Sequence, residues 1–267
     1  MQARYIDHMG TDLSVVNAAR VSFSKESALV DGELSKADTS LIQFLARGCT
    51  SGDWDQLKLD LLVAADPWQK EDMLDPIMNH LKNMPTHWTP FGHTAITLHM
   101  KAPLFVARQL GKHQTGLVWN EVSRRYVSDE PEFYRSEVWR KAAANVKQGS
   151  SDEAVDLKSE YVWCDDNTPK YGWDDYTLYE LYHEHLEREA LLYQKMLERG
   201  VCPEQARMVL PQSMYTEWYW TGNLYAFANV FIQRTDSHAQ KETQEIAHQI
   251  GSIISPLFPV SWKALTQ

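Results

Sequence analysis

Five Lys or Arg residues fall between positions 101 and 125 (Lys101, Arg108, Lys112, Arg124 and Arg125), against one acid, Glu121. The whole chain carries 26 Lys+Arg and 36 Asp+Glu, a formal net charge of −10, so this run reverses the local sign. Two readings stand: a solvated basic patch, or an anion site for one or two phosphates. Arginine suits the second, because its planar fork meets phosphate oxygens two at a time. Three more polar residues sit in apolar surroundings: Arg207 in ARMVLPQS, Asn223 in YWTGNLYAF and Arg234 in NVFIQRTDSHAQ. A guanidinium that follows Val230, Phe231 and Ile232 on one helix is costly to bury without a partner. Asp236 is one candidate partner; a flat, polar ligand such as a pyrimidine is the other.

Other chemistries lack their residues. No GxGxxG follows a strand, and there is no GxxxxGK[ST], GxSxG or HExxH. His183 and His185 lie two apart on a predicted helix, so they point to different faces and read as surface residues, with no metal site. Cys49, Cys164 and Cys202 are odd in number and far apart, which argues against a disulfide framework or zinc ribbon. They read as small buried or neutral residues. The acidic balance argues against nucleic-acid and polybasic membrane partners. No apolar run approaches the roughly 20 residues that span a bilayer. The first residues, MQARYIDHMGTDLS, show no apolar signal core, so a cytoplasmic location is expected. The 10 Trp and 12 Tyr are either core or stacking surface for flat ligands.

The elements that must position these residues follow from periodicity. Ser40 or Asp38 can cap a helix over Leu41–Leu45 that Gly48 ends, and Asp75-Pro76 opens another. From Thr94 to Lys101, Ile96, Leu98 and Met100 alternate with polar residues, which predicts a strand with one buried face. Pro103 then opens a helix. Residues 176–199 form a long helix with a broad apolar face (Leu178, Leu181, Tyr182, Leu186, Tyr193, Met196, Leu197). Ser213–Trp220 alternates like a strand, and Thr221–Arg234 and Ser237–Ile254 read as helices, the last with a Ser237-x-x-Gln240 capping box. Residues 127–175 gather Gly, Pro, Ser and Asp and read as a loop-rich excursion on a single domain of residues 1–267. The class is α+β, with helices dominant.

The stretch ARQLGKHQTGLVWNEVSRRYV, residues 107–127, resembles the signature of the flavin-dependent thymidylate synthases, the ThyX family. That family carries an Arg-His-Arg triplet, a short spacer and Ser-x-Arg-Tyr; here Lys112-His113-Gln114 precedes Ser123-Arg124-Arg125-Tyr126. AARVSF (18–23), HWTPFGH (87–93), MKAPLFVARQ (100–109), FYRSEVWR (133–140), EQARMVLPQSMYTEWYWTGN (204–223) and RTDSHAQKE (234–242) agree with it in order. The resemblance implies a helix-rich α+β subunit with a small antiparallel sheet. It also implies a homotetramer whose active sites form where subunits meet. The implied reaction is methylation of dUMP at C5 to dTMP. Carbon comes from 5,10-methylenetetrahydrofolate and hydride from FAD reduced by NADPH, with no cysteine nucleophile.

By the same resemblance, Arg125 and Arg207 hold the nucleotide phosphate, with Ser123 and Gln109 in the same cradle and Glu121 and Tyr126 organising the loop. Arg234 binds the pyrimidine and stabilises charge as C5 becomes nucleophilic; Arg234 and Ser123 are the catalytic candidates. Lys112, His113, Gln114 and Asn223 face the flavin, with Ser22, Thr89 and Asn229 as second contributors. His87 and Tyr225 line the flavin and folate side. His238 either caps a helix or stacks near the flavin, and Trp119 either fills the core or forms a new wall beside the ligands. The chain departs from the family pattern in its triplet, in a spacer one residue longer, in Gly92 for a usual Glu, and in Tyr225 for a usual Arg. These departures leave two alternatives. One is a related enzyme that methylates or hydroxymethylates another pyrimidine nucleotide such as dCMP. The other is a nucleotide-binding protein that has lost its flavin.

Overall fold

The computed structural model describes residues 1–47, 59, 87–144, 149–159 and 176–267. Its centre is a four-stranded antiparallel sheet in the order β1-β2-β6-β3 (β1, Gln2–Met9; β2, Ala95–Pro103; β3, Leu117–Glu121; β6, Tyr215–Gly222). In β2 the predicted alternation holds: Ile96, Leu98 and Met100 are fully buried, while Thr97, His99 and Lys101 lie on the other face. In β6 the buried residues include Trp218 and Trp220. The same-face set of each strand therefore meets one core, as a period of two requires.

Helices cover that face. They are α1 (Asp12–Arg20), α2 (Lys36–Leu45), α3 (Leu104–Leu110), α4 (Leu178–Glu198), α5 (Pro203–Ala206), α6 (Leu224–Thr235), α7 (Lys241–Ile254) and α8 (Pro259–Thr266). Phe227 and Val230 of α6, Ile246, Ile250 and Ile254 of α7, and Leu265 of α8 join Trp218 and Trp220 in one core cluster. The chain is α+β, with eight α-helices among the described residues.

Several elements differ from expectation for local reasons. Helix α2 is capped by Ser35, whose hydroxyl accepts from Asp38 N, not by Ser40 or Asp38. Asp38 is instead buried, taking hydrogen bonds from Arg20, Ser27 and Ser35. Helix α6 begins at Leu224 rather than Thr221, because Thr221 and Gly222 still pair with β2 and β3. Helix α7 begins at Lys241: Asp236–Ala239 close a turn (Ala239 N to Asp236 O, 3.0 Å), so Ser237 caps nothing. On α4 only Leu186 and Tyr193 are fully buried, and Leu178 is exposed. His183 is half-buried, not a surface residue; its ring lies 4.3 Å from Tyr179 and its Nδ1 is 2.6 Å from Arg135. The 127–175 excursion contains a two-stranded hairpin, β4 (Trp139–Ala142) with β5 (Ser150–Val155). Gly48, Cys49, the Asp75-Pro76 start and Cys164 lie outside the described residues; Cys202 is a free, exposed thiol. No described helix is long and apolar enough to cross a membrane, and no described cluster of three His, Cys, Asp or Glu could hold a metal ion.

Candidate active site

Helix α3 leaves the end of β2 and delivers Gln109 and the Lys112-His113-Gln114 turn to the C-terminal end of α6, where Arg234 sits in the last turn. Arg234 does not pair with Asp236. Its Nε donates to His113 Nε2 at 2.8 Å and its NH2 to the Gln109 carbonyl at 3.2 Å. Asp236 instead accepts from its own turn, from His238 N (2.8 Å) and Nδ1 (3.0 Å). Burial, reinforced by the Arg234 charge, holds the His113 imidazole down to about 4. His113 is therefore neutral at neutral pH, with its proton on Nδ1 and Nε2 free to accept. Burial also lowers the Arg234 guanidinium from its usual range. The contact brings together a residue expected at the pyrimidine and one expected at the flavin.

Arg234 and Gln109 line a cleft of about 510 Å³ with Arg140, Gly149, Ser150, His238, Ala239 and Gln240. The Gln109 amide is spent within the protein: it donates to Gln240 Oε1 and accepts from Thr243 Oγ1 at 3.1 Å. Gln109 and Arg207, expected in one cradle, line different clefts within one chain. His238 caps no helix: its backbone N–H and its ring bond Asp236 in the turn before α7, and it lines this cleft.

The second half of the expected cradle lies after β3. The Ser123 carbonyl accepts from Tyr126 N (2.9 Å) and Val127 N (3.1 Å), and its hydroxyl from Arg125 N (3.3 Å), forming a tight turn. Arg125 Nε lies 3.5 Å from the Glu204 carboxylate, and Arg207 Nε donates to the Glu204 carbonyl at 3.3 Å. Two guanidiniums thus converge on one residue, both open to solvent. Arg207 lines a cleft of about 580 Å³ that includes Glu121, Arg124 and Val127. Tyr126 is 76% exposed, with the Arg125 guanidinium 5.2 Å from its ring. Glu121 organises this end of the sheet, accepting from Thr216 Oγ1 at 2.7 Å and Trp119 Nε1 at 3.1 Å.

The expected flavin-side residues fall in two groups. Lys112, His113 and Gln114 line a third cleft, about 470 Å³, with Arg108 and Trp119. Trp119 also packs inward, stacked on Trp218 at 4.1 Å, so it is both core filling and wall. The triplet turn closes at Gly116, whose φ of +74° favours glycine, and a Cβ there would press on the Asn223 amide at 3.0 Å. Asn223 N donates to the Gly116 carbonyl, and its side chain caps α6 through Ala226 N at 2.8 Å. Asn229 donates to the Tyr225 carbonyl one turn back, so that amide group is occupied within α6.

The second group lies on two segments, the neighbours of Trp88 and the turn Val21–Phe23. Thr89 opens the short 3-10 helix Thr89–His93, His87 stacks on Phe44 at 5.7 Å, and Ser22 is exposed in the 3-10 turn Val21–Phe23. Trp88 is 45% exposed and tilts against Tyr225 at 5.7 Å. A Cβ at Gly92 would lie 3.3 Å from the Trp88 ring. Two family departures, Gly92 and Tyr225, therefore meet around one indole. In the sequence Trp88 is close to Gly92 but far from Tyr225, so its place between the two substitutions is visible only in the fold. Arg140 and Gln240 were missed because their partners are distant in sequence.

A flavin dinucleotide needs cations or amide donors for its pyrophosphate and apolar faces for its rings. Lys112, Arg108 and Gln114 supply the first, and Trp119 with the Trp88–Tyr225 pair supplies the second, so the residues present fit the group.

The family model described as thymidylate synthase complementing protein matches residues 4–260. A flavin-dependent thymidylate synthase of Thermosipho africanus is 33% identical over 261 residues, covering 98% of this chain and 89% of that protein. The Thermus thermophilus protein of the same name is 30% identical over 264 residues, covering 99% and 75%. Among solved structures, the UMP/dUMP methylase PolB from Streptomyces cacaoi, bound with 5-Br dUMP, matches with a TM-score of 0.64 at 25% identity, covering 98% of this chain and 93% of that one. The matched span takes in the sheet, both arginine sites and the triplet turn, and the chain belongs to the flavin-dependent thymidylate synthase family.

Proposed function

We propose that this chain methylates dUMP at C5 to give dTMP, working as a cytoplasmic homotetramer with FAD, NADPH and 5,10-methylenetetrahydrofolate. The observation that carries the reading is the Arg234–His113 contact at 2.8 Å, which sets a fixed guanidinium between the expected nucleotide and flavin sides.

C5 gives up its proton, a methylene carbon takes that position, and a hydride completes the methyl group. Negative charge builds on the pyrimidine as C5 becomes nucleophilic. Arg234 is already oriented by two hydrogen bonds, so it stabilises that charge without having to reorganise. His113, kept neutral, orients Arg234 and adds no competing positive charge. Bound FAD, once reduced by NADPH, would supply the hydride. Lys112, Gln114 and Asn223 would hold it from the triplet side. Ser22, His87, Thr89, Tyr225 and Asn229, with Trp88, would hold it from the other.

Arg125, Arg207 and Ser123 hold the nucleotide phosphate, which takes over from Glu204 as the partner of the two arginines. Within one chain Arg207 and Arg234 line different clefts. A site with both halves then needs a second copy, and that supports the homotetramer.

Purified protein is expected to be yellow and to convert dUMP to dTMP, detected by mass, only when methylenetetrahydrofolate and NADPH are both present. A colourless protein that takes up no FAD on titration and forms no dTMP would overturn the proposal.

A further inference from the structure

The cleft around Arg234 holds a second guanidinium that the proposed reaction does not use. Arg140, on β4, is held from two sides: its Nε donates to Ser150 Oγ at 2.9 Å, and its NH2 reaches both carboxylate oxygens of Glu242, at 2.7 and 2.9 Å. Glu242 is 8% exposed at the start of α7. Burial alone would raise its carboxyl, but hydrogen bonding, chiefly from Arg140, holds it below the usual range. A buried carboxylate answered by one arginine fixes that arginine firmly. The β4–β5 hairpin is thereby tied to α7, and Arg140 becomes part of the cleft wall.

Arg234 is held in the same manner, through Nε and NH2. Each guanidinium keeps one nitrogen, NH1, that makes no hydrogen bond among the described residues. Among the described residues, no acid lines the cleft. Three of its side-chain acceptors are already engaged: Gln109 Oε1 by Thr243, Gln240 Oε1 by Gln109, and Ser150 Oγ by Arg140. The cleft therefore offers a ligand donors far more than acceptors.

We infer that Arg140 is a specificity-determining residue, which with Arg234 makes this cleft select a base edge of carbonyl oxygens, as in uracil, over one bearing an amino group, as in cytosine. The inference rests on the proposed reading of the site as a pyrimidine nucleotide site. Uracil presents two carbonyl acceptors. Cytosine replaces the one at C4 with an amino donor and moves its second acceptor to N3, so a guanidinium set to the C4 oxygen meets the amino group donor to donor and leaves both unpaired. Sites that read hydrogen-bonding groups discriminate strongly for this reason.

Two guanidiniums also suit a phosphate, so the test must separate base from phosphate. Binding of dUMP, dCMP and deoxyuridine to the FAD-loaded protein is measured by calorimetry for wild type, Arg140→Gln and the double variant Arg140→Gln/Glu242→Gln. The double variant removes the carboxylate that the single change leaves buried and unpaired, and it carries the test if the single variant unfolds. Wild type is expected to prefer dUMP to dCMP. Both variants are expected to lose about tenfold or more in affinity for dUMP and for deoxyuridine, with a much smaller change for dCMP. Equal losses for dUMP and dCMP with deoxyuridine unchanged would make Arg140 a phosphate ligand and overturn the inference. An undiminished dUMP preference in the variants would overturn it while leaving the proposed function intact. A wild type that binds no pyrimidine nucleotide would remove both.

Discussion

The two arginine regions of this chain are built differently. Around Arg234 the polar side chains are tied: Arg234 to His113 and the Gln109 carbonyl, Arg140 to Glu242 and Ser150, Gln109 to Gln240 and Thr243. Around Ser123 the guanidiniums are loosely placed. Arg125 is 48% exposed with one contact at 3.5 Å, and Arg207 reaches only a nearby carbonyl. Exposed pairs of this kind contribute about 0–1 kcal/mol, so Glu204 is easily replaced as a partner. The first region is set before any ligand arrives, as stabilising a developing charge requires. The second can adjust to a phosphate whose charge stays constant through the reaction.

That contrast predicts different kinetic signatures. Arg234→Ala is expected to lower kcat for dTMP formation by about 100- to 1000-fold, with the dUMP KM changed much less. Arg125→Ala or Arg207→Ala should raise the dUMP KM by about tenfold, with kcat little changed, because a phosphate contact is equally strong before and during reaction. Raising salt should weaken dUMP binding in wild type and do so less in those two variants. Equal losses of kcat from all three substitutions would erase the distinction.

Trp88→Ala probes the flavin side and should raise the FAD dissociation constant by roughly threefold to tenfold, read by flavin fluorescence on titration. The smallest effect concerns His113. Its folded value of about 4 lies below the ordinary 6.5, so the unfolded chain takes up the proton first as pH falls. Its contribution is fully present above pH 6.5 and is lost between there and about 4. His113→Gln keeps an acceptor for Arg234 and takes up no proton. Its Tm should decline less steeply than the wild-type Tm across that window.

What could be read from sequence was local. The alternation of Ile96, Leu98 and Met100 identified β2, and Pro103 marked the start of α3, because both signals lie within a few residues. The ordered motifs placed the chemistry because each motif keeps its residues adjacent. Pairings across the chain were hidden. Arg234 meets His113 across 121 positions, and Arg140 meets Glu242 across 102. The loop-like composition of 127–175 concealed a hairpin whose two strands are short and partly polar. Gly92 and Tyr225 read as two separate losses, yet Trp88 packs beside both, so the two substitutions share one aromatic contact.

The proposed assembly joins the tied region of one copy to the loose region of another in a single site. Co-expression of Arg234→Ala, nearly inactive, with Arg125→Ala, at about a tenth of the wild-type rate at low dUMP, tests it by the rate of dTMP formation. If the halves come from different copies, random mixing restores about a quarter of the wild-type sites. Activity near that level is expected in the mixed protein. Activity no greater than the average of the two variants measured alone would contradict it.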